Sequence, residues 1–303
     1  MFQHISKPSF IVSSRKEVQP FTTSRKSTMK VFPQGSSLGP VLWNIFINDL
    51  LNIDFGQNVK IQAFADDIMI LIQAPATYCL TQLCKDPLDI IASWTKDHCL
   101  SINYEKSCFT ILANKKYSHI PSIKISSQKF KFSKTIKYLG IFIDARLNWD
   151  YHLNQLQDKI HSIQQKFNRV TRATWGLSPT VKKEIYLKVI DRIISYGHEI
   201  WYQDRVKQNL KLIKLQRSGL ICITKCYRTV ATDTLQVLAG IPPIDIKTAL
   251  TKRLFHLKYE QKELHVHDIT IQPQELAFKK ALVPHGLRFL SHGTISICHS
   301  TAH

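Results

Sequence analysis

The sequence predicts an α+β fold class: a mixed unit of strands and helices over residues 33–145, then an all-helical unit over 146–265. Three observations carry this. Apolar and polar residues alternate along Lys60–Ala65, and after Asp66-Asp67 comes the wholly apolar Ile68–Ile72, the pattern of two strands joined by a two-residue turn. Ahead of them, Leu42, Ile45, Phe46 and Leu50 recur at helical spacing. Beyond Asn148 the period changes, and Leu153, Leu156, Ile160, Ile163, Phe167 and Val170 step by threes and fours along one long helix.

Taken in order, residues 1–32 read as a basic segment; residues 1–33 hold six Lys/Arg, one Glu and no Asp. Pro33–Pro40 is a loop that opens a helix, with Gly and Ser for the turn and Pro40 in the first helical turn; the helix ends near Asn52. A helix over Tyr78–Trp94 follows, kinked or restarted at Pro87. Leu100–Asn103 and Ser107–Ala113 read as strands, and Ile123–Ile125 with Lys137–Ile143 as a further strand pair. In the second unit Ser178-Pro179 reads as N-cap and N1 of a helix with Val181, Ile185, Val189, Arg192 and Tyr196 on one face. Helices over about 205–223 and Thr232–Ala239 come next, the latter stopped by Gly240-Ile241-Pro242-Pro243. Residues 266–303 are expected to form a poorly ordered tail.

Composition removes several classes. With 44% hydrophobic and 10% aromatic residues the chain is core-forming rather than disordered throughout. The longest wholly apolar run, Ile68–Ile72, is five residues, whereas a spanning helix needs about 20, so no membrane partner is expected. No apolar secretory signal is visible in the first 30 residues. The seven Cys form no CxxC pair and read as reduced thiols of an intracellular protein; Cys222, Cys226, His265 and His267 fit no zinc finger spacing. The formal net charge of +19 points to a polyanion, nucleic acid before membrane surface.

The sharpest local signal is Asp66-Asp67. Two adjacent carboxylates at a bend walled by apolar strands repel each other unless a cation joins them. Around them stand Pro33-Gln34-Gly35-Ser36-Ser37-Leu38-Gly39-Pro40-Val41-Leu42-Trp43-Asn44, Phe64-Ala65-Asp66-Asp67, the stretch from Trp94 through Leu100–Asn103 to Lys106, and Lys137-Tyr138-Leu139-Gly140-Ile141. In this order they resemble the reverse transcriptase of non-LTR (LINE-type) retrotransposons, of the arthropod Jockey-like and ribosomal-DNA-inserting kind. Tyr227–Val230 with Leu235–Pro243 is similar to the region after the thumb of the same elements, and the likeness spans about residues 11–265.

The resemblance implies a partial polymerase palm over 33–145, an antiparallel sheet with packed helices, followed by an all-α thumb. It implies RNA-directed DNA polymerase chemistry with RNA template, DNA primer and deoxynucleoside triphosphates as partners, two magnesium ions as cofactor, and a nuclear address. Two-metal nucleotidyl transfer needs carboxylates that hold two divalent ions about 4 Å apart. By resemblance, Asp66 is the principal metal ligand, Asp67 a supporting one, and Lys106 a proton donor near the triphosphate. Gln34 and Gly35 would border nucleotide and template. Phe64 would pack by the primer terminus or belong to the core, and Tyr138, Leu139 and Gly140 would form the primer grip.

One departure stands out. The family's first catalytic aspartate precedes the PQG segment, and here Glu17, between Lys16 and Val18, is the only acid before Asp49. The expectation is a truncated copy, or a gene model cut from a decayed element, that lacks the aspartate-bearing strand and is inactive alone; in a further reading, an unfolded pseudogene product, that loss leaves a sheet edge bare. The second reading is a non-catalytic, basic nucleic-acid-binding protein.

Overall fold

The structure is a computed structural model that describes residues 9–15, 37–113, 120–125, 128–170, 177–259, 263–266 and 269–271. The chain divides into two compact units, Met1–Tyr151 and His152–His303.

In the first unit, β1 (Ser9–Arg15) is followed by α1 (Gly39–Leu51), β2 (Val59–Phe64), β3 (Asp67–Gln73), α2 (Leu80–Leu83), α3 (Lys85–Asp97) and β4 (Asn103–Leu112). The short strands β5 (Lys124–Ile125), β6 (Gln128–Lys129), β7 (Lys131–Phe132), β8 (Thr135–Tyr138) and β9 (Ile141–Asp144) complete it. The main sheet has the order β2-β3-β1-β4-β7, antiparallel except for the β4–β7 pair. Alternate residues of β3 point to opposite faces. Ile68, Ile70 and Ile72 join Ile47 and Leu50 of α1 and Leu88, Ile91 and Trp94 of α3 in one core, while Met69 and Leu71 are buried on the other side. Both faces of β3 are therefore covered, which is why its sequence is an unbroken apolar run.

Three expectations change here. The edge beside the acidic hairpin is not bare: β1, a strand of the basic N-terminal segment that carries no acid, lies between β3 and β4 and pairs it. Leu100–Ile102 is not strand, because Cys99 takes a left-handed conformation (φ 55°) and closes α3. There the Leu100 N–H donates to the Thr95 carbonyl and the Cys99 N–H to that of Lys96, a Schellman pattern with cysteine in glycine's usual place. Ile123–Ile125 and Lys137–Ile143 do not pair with each other. Instead β5 pairs with β6, and β8 with β9 around Leu139-Gly140. The φ values of +46° and +82° at those two residues are those of a type I′ turn, whose twist suits a two-residue hairpin. As for Pro87, α3 restarts at Lys85 and places the proline in its first turn, where a missing N–H is harmless.

The second unit is helical. It comprises α4 (Asp150–Val170, beginning at the boundary), α5 (Pro179–Ile185), a π-turn over Tyr186–Ile190, α6 (Asp191–Ser195), α7 (His198–Trp201), α8 (Val206–Thr224), α9 (Thr232–Ala239) and α10 (Ile244–Tyr259), with a hairpin of β10 (Leu264–Val266) and β11 (Ile269–Ile271). Ser178 caps α5 by accepting from the Val181 N–H at 3.4 Å. The predicted face of that segment is corrected: Val181, Val189 and Tyr196 are exposed, and the buried positions are Lys182, Tyr186, Ile190, Asp191 and Ile194. The apolar period misses this because a lysine and an aspartate stand on the inner face and the π-turn alters the phase. Gly219 of α8 makes room for Tyr186, since a Cβ there would sit 2.5 Å from the ring. Among the described residues no helix is long and apolar enough to cross a membrane.

Candidate active site

The acidic bend is shifted by one residue from its predicted place. Phe64 pairs with Asp67, so the two-residue turn is Ala65-Asp66 and not Asp66-Asp67. Ala65 has φ +50° and Asp66 does not share the positive φ, the φ signature of a type II′ hairpin. The shift separates the two carboxylates by role. Asp66 stands exposed at the tip, while Asp67, half-buried, is the first residue of β3. A turn residue is released from strand alternation, so Asp66 need not point away from Asp67 as two strand neighbours would.

The tip is tied to α1. The Trp43 Nε1–H donates to the Ala65 carbonyl oxygen at 2.7 Å. Trp43 belongs to the PQG motif in the sequence but is given no role there; it occupies the helix opened by the Pro33–Pro40 segment. Its visible signal was its place beside Leu42 and Phe46 on a helix with an apolar stripe. Gln34 and Gly35, assigned to nucleotide and template, lie outside the described residues.

Across the sheet, Asp67 is the register partner of Arg15 in β1, and Arg15 is in turn the partner of Asn103 in β4. Strands lie about 4.8 Å apart, so Asp67 and Asn103 are roughly 10 Å from each other in this row. Between the pairs Ser13–Cys108 and Arg15–Asn103, β4 has four residues where β1 has one. Lys106 sits in that bulge, exposed, its N–H donating to Asn103 Oδ1 at 3.0 Å. Bulges re-aim side chains at sheet ends, and this one belongs to the same end of the sheet as the acidic turn.

Tyr138, at the end of β8, is buried, and its hydroxyl has no hydrogen-bond partner. Burial pushes its phenol up to about 12, and the charge of Asp67 adds to the shift. Tyr138, in the predicted primer-grip segment, is thus near enough to sense Asp67. Leu139 is half-buried and Gly140 exposed at the hairpin tip. Phe64 is 47% exposed, so it is a surface residue at the acidic turn rather than a core residue.

Among the described residues no group of three or more His, Cys, Asp or Glu side chains could hold a metal ion. Two carboxylates offer hard oxygen donors suited to magnesium, but a pair of ions needs a third acid, and the register position where the neighbouring strand could supply one holds Arg15. Among the described residues the donor set therefore falls short of a two-ion cage.

Residues 4–143 match the family described as reverse transcriptase (RNA-dependent DNA polymerase). The chain is 28% identical over 235 residues to the putative 115 kDa protein in the type-1 retrotransposable element R1DM of Drosophila melanogaster, covering 76% of this chain and 22% of that one. It is 30% identical over 226 residues to the retrovirus-related Pol polyprotein from the type-1 retrotransposable element R1 of Bradysia coprophila (74% and 22%). It is 26% identical over 210 residues to the RNA-directed DNA polymerase from the mobile element jockey of Drosophila melanogaster (65% and 22%). The chain thus spans about a fifth of the length of these relatives.

Proposed function

We propose that this chain, a relative of the reverse transcriptases of arthropod non-LTR retrotransposons, is the acidic-hairpin and thumb portion of an RNA-directed DNA polymerase. The observation that carries the reading is the convergence at one end of the sheet: the Asp66–Asp67 turn, the helix that follows the PQG segment, the Lys106 bulge and the end of β8. In this reading Asp66 and Asp67 would offer carboxylate oxygens to a divalent ion, and in the complete site such an ion would supply charge neutralisation at phosphate. Lys106 supplies a positive charge toward the triphosphate. Phe64 offers an exposed ring to the primer end, and Tyr138-Leu139-Gly140 hold the primer strand. Gln34 and Gly35 border the template and nucleotide. In the helical unit, exposed cations such as Lys159, Lys166 and Arg169 of α4 contact the duplex backbone without reading sequence.

By itself the chain is proposed to lack polymerase activity, because Arg15 stands in register with Asp67 where a third acid is needed. The same observation favours the second reading, a non-catalytic protein that keeps affinity for nucleic acid through its excess of 19 positive charges. Primer extension on an RNA template with magnesium, run beside duplex binding, tests the lack of activity that both readings share. The inactive reading expects no incorporation and duplex binding that weakens steeply with salt; incorporation that disappears in Asp66→Ala would overturn it.

A further inference from the structure

We infer that Trp43 is a positioning residue for the acidic turn, fixing Asp66 through one indole hydrogen bond to the carbonyl of the residue before it. The inference rests on the reading of Asp66 and Asp67 given above and deepens it. Ala65 is a non-glycine residue at φ +50°, a conformation that persists where the surroundings over-determine it. The Trp43 bond, 2.7 Å from Nε1 to oxygen, is that determinant, and it is at the short end of N–H···O bonds.

The donor is itself held. The Trp43 ring packs on Phe46 with centroids 5.6 Å apart, Phe46 lies 5.4 Å from Trp94 and 5.2 Å from His98, and Trp94 stacks on His98 at 4.3 Å. Trp94 Nε1–H donates to Asp49 Oδ2 at 2.8 Å, which closes the row back onto α1. Four rings thus brace α1 against α3, and the Trp43 N–H leaves that brace to meet the turn. The turn of a two-residue hairpin is the part of a sheet most free to twist. Tying it to α1 makes the helix after the PQG segment and the Asp66 carboxylate move as one part. A Trp that only fills space would need no N–H directed at the turn carbonyl.

The test uses the full ¹⁵N-labelled chain and Trp43→Phe, which keeps a packing ring and removes the donor. Amide hydrogen exchange at Asp67, the residue that closes the turn, is expected to rise about tenfold, with Ile70 and Ile72 in mid-strand unchanged. Titration with manganese, read as paramagnetic broadening at Asp66 and Asp67, is expected to need several-fold more ion in Trp43→Phe. Equal Asp67 exchange in the two proteins, or a rise shared equally by Ile70, overturns the inference. Should the variant fail to fold, the unsubstituted chain decides: a Trp43 indole proton that exchanges at the rate of free indole overturns it, and a protected one supports it. Manganese that never broadens Asp66 or Asp67 sinks the metal reading of the site, while the exchange data still decide the clamp.

Discussion

The two units bury different chemistry. Among the described residues, the buried polar side chains up to residue 151 are Thr95, Ser107, Thr110 and Asp144, whereas the helical unit buries ten, among them Lys182, Asp191, Gln208, Gln216 and Gln236. A sheet supplies its own backbone partners strand to strand, so its core can be apolar throughout. Short helices joined by tight connections leave carbonyls and N–H groups at every end, and long side chains from α8 satisfy them. Gln216 donates to the Pro242 carbonyl at 2.8 Å and accepts from the Ile244 N–H at 3.2 Å and from Gln236 at 2.8 Å. Gln208 accepts from the Gln203 N–H and donates to the Trp201 carbonyl. Arg217 reaches the carbonyls of Arg228 and Val230 and the Thr232 hydroxyl. The lesson is that the first unit is held by which residues are apolar, and the second by which polar atoms meet.

Three measurements break or sharpen that contrast. The largest effect is expected for Gln216→Leu, which keeps the volume but strands a buried N–H, a carbonyl and Gln236; it should cost about 3–4 kcal/mol in urea unfolding. Ile70→Val in β3 should cost only about 1 kcal/mol, with strand hydrogen bonds intact. If the two losses came out equal, the contrast between the units would not hold.

Next in size is a pH effect confined to the helical unit. Burial lowers His152 from its ordinary 6.5 to about 4. The unfolded chain takes up this proton below pH 6.5 while the folded chain resists until about pH 4. Stability contributed by neutral His152 is therefore complete above pH 6.5 and is lost as pH falls through that window, amounting to about 3 kcal/mol. Unfolding of the wild type and of His152→Gln between pH 7 and 4.5 checks it: the slope should flatten in the variant.

The smallest effect belongs to the acidic hairpin. Ala65→Gly removes the side chain from a positive-φ position and should stabilise the first unit by about 0.5–1 kcal/mol. A loss of stability in thermal unfolding would show that the turn is not held in this conformation.

How much was legible follows the same division. Long periodic segments read correctly: α1, β2, β3, α4 and α8 lie within a few residues of their predicted spans, because apolar spacing alone selects their period. The pairing of the Asp66–Asp67 bend with apolar strands, its place in the chain relative to the PQG segment, and the basic balance of the chain were also written in residue order. Which two residues form the turn was not, since either choice keeps an alternating strand on one side. Nor was the brace from Trp43 through Phe46 to Trp94 and His98, which joins residues 43 and 98 only once α1 and α3 cover the same face of the sheet.

Local periodicity, turn chemistry and charge are thus properties of the sequence by itself, because each depends on residues a few positions apart. The insertion of Ser9–Arg15 between β3 and β4, the register that sets Arg15 opposite Asp67, and the polar inner face of α5 and α6 were decided by tertiary structure. Each of these depends on which distant segment competes best for an open strand edge or an unpaired polar atom, and that competition is settled by the whole fold.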